Sequence, residues 1–233
     1  MKFSAILAAA AIALAKNANA GEIFEDYDSF YATRSHKFFG EPIEFDRDST
    51  YALPRQLGSY VKLQASLEEK PVRVEIAPNR ITVNSAAYRL ARATAFPGEH
   101  PSDIYPPSAN VFLASKTSTH PAALCIEGAS NGSGEANRHT QIYLLLNPLS
   151  PRGKATFLHL PSLLSSCRAI TVTKDGRVAF PKNTYLLDTQ QEHRAGLLLS
   201  YYVFEHQRFV PIQKEVRLRF THPEVPFQFE IQE

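Results

Sequence analysis

VRVEIAPNRITVN, residues 72–84, decides the fold class. Val72, Val74 and Ile76 alternate with Arg73 and Glu75, and Ile81 and Val83 flank Thr82. Successive side chains of a strand point to opposite faces, so period-two alternation describes a strand with one face in a core and one in water. Pro78-Asn79 lies between the two runs; proline presets φ for a turn and Asn tolerates the left-handed region. The stretch predicts a half-buried β-hairpin.

The same logic extends towards the C-terminus. RAITVTKDGRVAFP, residues 168–181, places Asp175-Gly176 between two β-rich runs, a hairpin signal because both central positions accept positive φ. Leu197 to Phe204 and Arg208 to Phe220 are joined by Glu205-His206-Gln207. Val216, Leu218 and Phe220 alternate with Arg217 and Arg219, and Phe227, Phe229 and Ile231 alternate with Gln228, Glu230 and Gln232. Each of these last two segments is expected to bury one face and wet the other. Helical signals are few: Leu160 to Cys167 and Asp48 to Leu57 could each make a turn or two, and each contains a proline. Sixteen prolines suit sheet edges and turns better than long helices. Residues 93–108, with four prolines and no apolar period, read as a long surface loop, and the acidic, aromatic residues 21–50 as an N-terminal arm packed through its rings. The fold class is therefore all-β: an antiparallel meander of hairpins, arranged as a β-sandwich, a barrel or a degenerate β-propeller, with at most one or two short helical turns.

GLLLSYYVFEHQRFVPI, Gly196 to Ile212, resembles the aromatic hairpins of degenerate β-propeller proteins, in which a tyrosine-rich strand, a short polar turn and a basic-aromatic-valine return recur. Some exported proteobacterial proteins with such hairpins are immunity proteins that block cell-wall hydrolases delivered by rivals. The resemblance covers about one hairpin and implies a protein-binding role without assigning a residue to it.

The N-terminus speaks about address. Met1-Lys2-Phe3-Ser4 carries one positive charge, an apolar run extends from Ala5 to Ala15, and Ala18-Asn19-Ala20 has the spacing of a cleavage site. These are the parts of a secretory signal peptide, with cleavage expected after Ala20. The run is shorter than the roughly 20 residues a membrane span needs, and no later stretch is long enough without charge or proline, so no integral membrane segment is expected. No Cys stands at the cleavage site, which argues against lipid anchoring. Removing the first 20 of 233 residues leaves 213, read as one β-rich domain over residues 21–233. Of 25 basic side chains the leader holds Lys2 and Lys16, so 23 remain against 23 acidic ones. That balance gives no electrostatic case for nucleic acid or an anionic membrane.

The two cysteines, Cys125 and Cys167, are expected to form a disulfide in an oxidising compartment, since no C-x-x-C spacing or adjacent His favours a metal or a catalytic thiol. Three fragments of the serine acyl-enzyme pattern occur, Ser59 to Lys62, Ser108-Ala109-Asn110 and Lys116-Thr117-Ser118, but the first heads a strand, where Ser and Lys diverge, and the others stand too close together. Asp46-Arg47-Asp48 lacks the rest of a calcium loop, and the eight histidines form no ligand pair, so neither metal nor cofactor is predicted.

The polar stretch 128–139, GASNGSGEANRH, leads into an apolar strand. Asn131, Glu135, Asn137, Arg138 and His139 supply charge and hydrogen-bonding groups on it and form the candidate binding site; a plain link between strands is the simpler reading. Glu135 with His139 lacks a nucleophile or a third orienting group, so no catalytic residue is assigned. Asn131-Gly132-Ser133 is a glycosylation sequon, but the alanine-rich leader is of bacterial type and no sugar is expected there. The function that fits is a periplasmic protein-binding protein, of the immunity or inhibitor kind. A hydrolase acting on envelope glycan or peptide through an unseen carboxylate pair is the alternative, and an envelope scaffold the plainest one.

Overall fold

A computed structural model describes residues 22–45, 50–52, 59–130, 138–151 and 154–232. The chain is all-β, and its described residues build three open antiparallel sheets, each a meander in which consecutive strands are neighbours. Thr50–Ala52 (β2), Ser59–Leu67 (β3), Lys70–Ala77 (β4), Arg80–Val83 (β5) and Ala86–Arg89 (β6) form the first. Asn110–Ala114 (β7), Ala123–Ala129 (β8), Thr140–Leu146 (β9) and Thr156–Leu160 (β10) form the second. The third holds Thr171–Val172 (β11), Val178–Leu187 (β12), Arg194–Glu205 (β13), Arg208–His222 (β14) and Val225–Gln232 (β15). Ile23–Phe24 (β1) returns from the start of the chain to pair with β15 at the third sheet's edge. Because none of the sheets closes on itself, the barrel is excluded.

Hydrophobic side chains stack these sheets in layers. Leu63, Val74 and Ile81 of the first sheet share a core with Val111, Leu124, Ile126, Tyr143 and Leu145 of the second. From the opposite face of the second sheet, Phe112, Cys125, Ile142, Leu144 and Leu158 share a core with Val178 and Phe180 of the third. The second sheet is thus buried on both sides, which is why ALCIEGA and TQIYLLL run almost continuously apolar instead of alternating. Residues of the third sheet's far face, Leu197, Leu199, Val216, Leu218 and Phe229, pack against Tyr27, Phe30 and Tyr31.

Those three rings belong to Tyr27–Thr33 (α1), a helix lying where the sequence read an arm packed through its aromatics. The packing is as expected; the helical backbone is the difference. Asp26 caps it by accepting from the Ser29 N–H at 2.6 Å, and the spacing of Tyr27, Phe30 and Tyr31 puts all three on one face. The helical turns expected within Leu160–Cys167 and Asp48–Leu57 are placed differently. Leu160 ends β10 and the turn covers Cys167–Ala169, while Thr50–Ala52, the part of the other stretch that is described, is strand. Among the described residues no helix is long and apolar enough to cross a membrane.

Turn geometry departs from expectation in instructive ways. The 72–84 hairpin forms with Pro78-Asn79 as its connection, but Asn79 keeps a negative φ. At Asp175-Gly176 only Gly176 takes positive φ, +83°, and its N–H donates to the Thr173 carbonyl at 2.9 Å. A Cβ there would lie 2.3 Å from the Thr119 carbonyl oxygen, so glycine serves both the turn and a close approach. The primed turns instead fall at Glu68-Glu69 and His206-Gln207, where both residues of each pair have positive φ without a glycine.

Phe227 contradicts the alternation read for the last strand: it is 49% exposed while Phe229 is fully buried. A bulge in β15, where residues 226–228 stand opposite Thr221 alone between the Phe220–Phe229 and His222–Val225 pairs, puts Pro226 inward and Phe227 outward. Residues 93–108 are also less superficial than expected. Phe96 and Ile104 are buried in two different cores, and Ile104 sits where a Cβ on Gly128 would reach it at 2.7 Å.

Cys125 and Cys167 are joined as a disulfide that ties β8 to the turn after β10. Closing 42 residues of separation restricts the unfolded chain by about 4 kcal/mol. The C125A/C167A double variant should therefore show a urea midpoint lowered by a stability loss of about 2–4 kcal/mol. An unchanged midpoint would show that the bridge constrains nothing.

Candidate functional site

Among the described residues, most of the buried polar side chains, Glu127, Gln141, His159, Ser165, Ser166 and Asn183, gather at one end of the second sheet, where β8 leaves, β9 enters and β10 finishes. Glu127, near the end of β8, is 5% exposed. Its Oε2 accepts from the Cys167 N–H at 2.6 Å and the Ser166 hydroxyl at 2.8 Å, and its Oε1 from Asn110 Nδ2 at 3.3 Å. Burial pushes this carboxyl's pKa up, against the pull of its three donors. Cys167 is thus held twice, through its sulfur by Cys125 and through its N–H by Glu127.

The segment after β10 is fixed from the other side. Leu164 has φ +47°, uncommon for a branched side chain. The Leu164 N–H donates to the Arg138 carbonyl at 2.7 Å, Asn183 Nδ2 donates to the Leu163 and Leu164 carbonyls at 2.7 and 3.0 Å, and Tyr31 Oη donates to the Leu164 carbonyl at 3.0 Å. This network links α1, β12 and the residues entering β9.

Of the candidate binding residues, Asn131, Glu135 and Asn137 lie outside the described residues. Arg138 Nη1 donates to Tyr185 Oη at 3.3 Å, and His139 Nδ1 lies 3.2 Å from Ser162 Oγ. His139 borders two crevices. The larger, about 440 Å³, is lined by Glu99, His100, Ser102, His139, Gln141, His159, Ser162, Leu163 and Asn183 with Pro161. The second, about 290 Å³, is bordered by Asp28, Asn110, Glu127, Ser165 and Ser166 among others.

His159 is the buried titratable group of the larger crevice, 4% exposed, with Nε2 2.9 Å from Gln141 Oε1 and its ring beside Tyr143. Desolvation lowers its pKa from 6.5 to about 4, so the ring is neutral at pH 7. An ion pair between Lys182 and Glu99, 3.2 Å, clips the 93–108 segment to β12 at the crevice's rim.

The three acyl-enzyme fragments are not brought together. Lys62 faces Glu75 at 3.7 Å on the first sheet, whereas Ser108 donates to the Tyr105 carbonyl and accepts from the Ala129 N–H, and Asn110 serves Glu127. Among the described residues no group of three or more His, Cys, Asp or Glu is placed to hold a metal ion. Glu127, His159 and Asn183 were not singled out by sequence reasoning. A signal existed: Glu127 and His159 each interrupt an otherwise apolar strand, in ALCIEGA and TFLHL, and a polar side chain on a strand buried on both faces needs a partner. No protein family, no curated protein and no solved structure matches this chain.

Two outcomes follow from the buried groups. The unfolded His159 titrates near 6.5 and the folded one near 4, so its contribution to stability is full above pH 6.5 and is lost as pH falls through that window. The difference amounts to roughly 3 kcal/mol, so H159Q should flatten the decline in unfolding free energy between pH 6.5 and 4 by up to that amount. Parallel curves for the two proteins would contradict the assignment. Glu127→Ala leaves the Cys167 N–H and the Ser166 hydroxyl without their acceptor, and denaturant unfolding should register a loss of about 2–4 kcal/mol.

Proposed function

We propose that this chain is an exported envelope protein that binds a protein partner, of the immunity or inhibitor kind, at the polar end of its second sheet. The observation that carries the reading is the anchoring of the residues on either side of the polar stretch 131–137. Its flanks are held by the Cys125–Cys167 bridge, by Glu127 on the Cys167 N–H, by the Leu164 N–H on the Arg138 carbonyl and by the Thr140 N–H on the Ser162 carbonyl. Polar residues beside a stiff frame lose less conformational entropy on binding, which favours recognition. The secretory leader and the disulfide support an oxidising compartment, the periplasm in a bacterium. The hairpin from Gly196 to Ile212, which resembles those of immunity-type proteins, supports the choice of a cell-wall hydrolase as partner.

One observation favours a second reading, an envelope glycan hydrolase. Asp28 and Glu127 border the same crevice, and the raised pKa of Glu127 is the property a general acid needs. The three hydrogen bonds on Glu127 weigh against it, because they give the carboxylate a structural task.

The chain without residues 1–20, titrated into turbidity assays with glycan-cleaving, amide-cleaving and cross-link-cleaving cell-wall hydrolases, should inhibit one class stoichiometrically. Arg138→Ala with His139→Ala should weaken that inhibition about tenfold or more. Full activity of every class in the presence of excess chain contradicts the inhibitor reading. Release of soluble fragments by the chain alone, abolished by Asp28→Asn, would establish the hydrolase instead.

A further inference from the structure

Three buried side-chain atoms have no hydrogen-bond partner among the described residues, His159 Nδ1, Asn183 Oδ1 and Arg177 Nε, the last of them ion-paired with Asp175. The first two concern one site. Both residues line the 440 Å³ crevice. The chemistry of Asn183 is fixed by the bonds it makes, and that of His159 follows from the orientation of the Gln141 amide. Asn183 Nδ2 faces the Leu163 and Leu164 carbonyls, which only a donor satisfies, so the amide cannot be turned over and Oδ1 is an acceptor. Gln141 Oε1 faces His159 Nε2, so a neutral ring carries its proton on Nε2 and leaves Nδ1 as an acceptor. Buried acceptors left unmade cost free energy, so both call for donors that the described residues do not supply.

The remaining lining narrows the choice of donor. Ser102 and Ser162 offer hydroxyls that both donate and accept, and Pro161 and Leu163 offer an apolar wall. Glu99, the carboxylate of this crevice, is already neutralised by Lys182 at 3.2 Å, so the site has no excess of negative charge to draw an ammonium ion. An anion would bring acceptors to acceptors. A neutral ligand with several hydroxyls meets every requirement: it donates to His159 Nδ1 and Asn183 Oδ1, exchanges hydrogen bonds with the serines, and lays its C–H face on Pro161 and Leu163. The crevice volume falls within the range of about 300–1,000 Å³ typical of small-molecule sites.

We propose that the crevice between His139, His159 and Asn183 is a carbohydrate subsite that takes a neutral sugar unit, distinct from the protein-binding role of the neighbouring loop.

The test follows the histidine side-chain nitrogens of the wild-type chain by NMR during titration with chitobiose, maltose, putrescine and acetate. Either sugar should shift the Nδ1 resonance of His159 while its Nε2–H tautomer persists, saturating with a Kd of about 1 mM or tighter. Putrescine and acetate should leave that resonance in place. Preference between chitobiose and maltose tells an N-acetylated sugar from a plain hexose. S102A, which touches neither buried acceptor, should raise the Kd at least about threefold with an unchanged thermal unfolding midpoint. The proposal is overturned if neither sugar moves the His159 signal at ~20 mM, twenty times that Kd. That result would leave ordered water as the partner of both acceptors. It is equally overturned if putrescine alone shifts the signal, which would make this an amine site.

Discussion

A sheet covered on both faces has no solvent to satisfy or to reward a misplaced polar group, and the rest of this molecule is arranged around that constraint. The second sheet contributes Leu124, Ile126 and Tyr143 to one core and Cys125, Ile142 and Leu144 to the other. The outer sheets each cover one of its faces, and α1 covers the third sheet in turn. Non-local burial of this kind draws together segments that are remote in sequence.

The same constraint explains where polarity is allowed. Inside the stack, Glu127 and His159 persist because partners from other elements meet them: Cys167 and Ser166 for the first, Gln141 for the second. These groups lie at the end where the strands of the second sheet run out, and there the crevices form. The disulfide, the Glu127 carboxylate and the Asn183–Tyr31 network converge on residues 163–167, so one short segment connects the second sheet, the third sheet and the helix. Protein recognition around Arg138 and His139 and sugar recognition by the crevice would both use this frame.

The sequence-level reading succeeded where one face is wet. Residues 72–84 and 216–220 alternate and are paired as their pattern requires. It was silent on the stacking, because a strand buried twice loses its period and ALCIEGA reads equally as any apolar run. α1 escaped because seven residues are too few for a helical period to stand out, although the spacing of Tyr27, Phe30 and Tyr31 carried it. Phe227 was misplaced because a bulge in β15, where residues 226–228 stand opposite Thr221 alone, breaks the alternation, and only the pairing with β14 reveals it. The disulfide was legible from two cysteines and the expectation of an oxidising compartment. Arg138 and His139 were noticed for their polarity, and His139 does border the crevices. The groups that shape those crevices were missed because their partners are distant: 40 residues separate Glu127 from Cys167 and 18 separate His159 from Gln141.

The doubly buried second sheet, carried rigidly up to the polar end, is the claim on which both binding proposals stand. Native-state hydrogen exchange measures it directly. Amides of β8 and β9, including those of Gly128 and Gln141 beside the crevices, should exchange only through global unfolding, with opening free energies equal to that from denaturant titration. Exchange of β8 and β9 at lower free energy than the outer strands β5 and β14 would show that the middle layer is not the frame of this molecule.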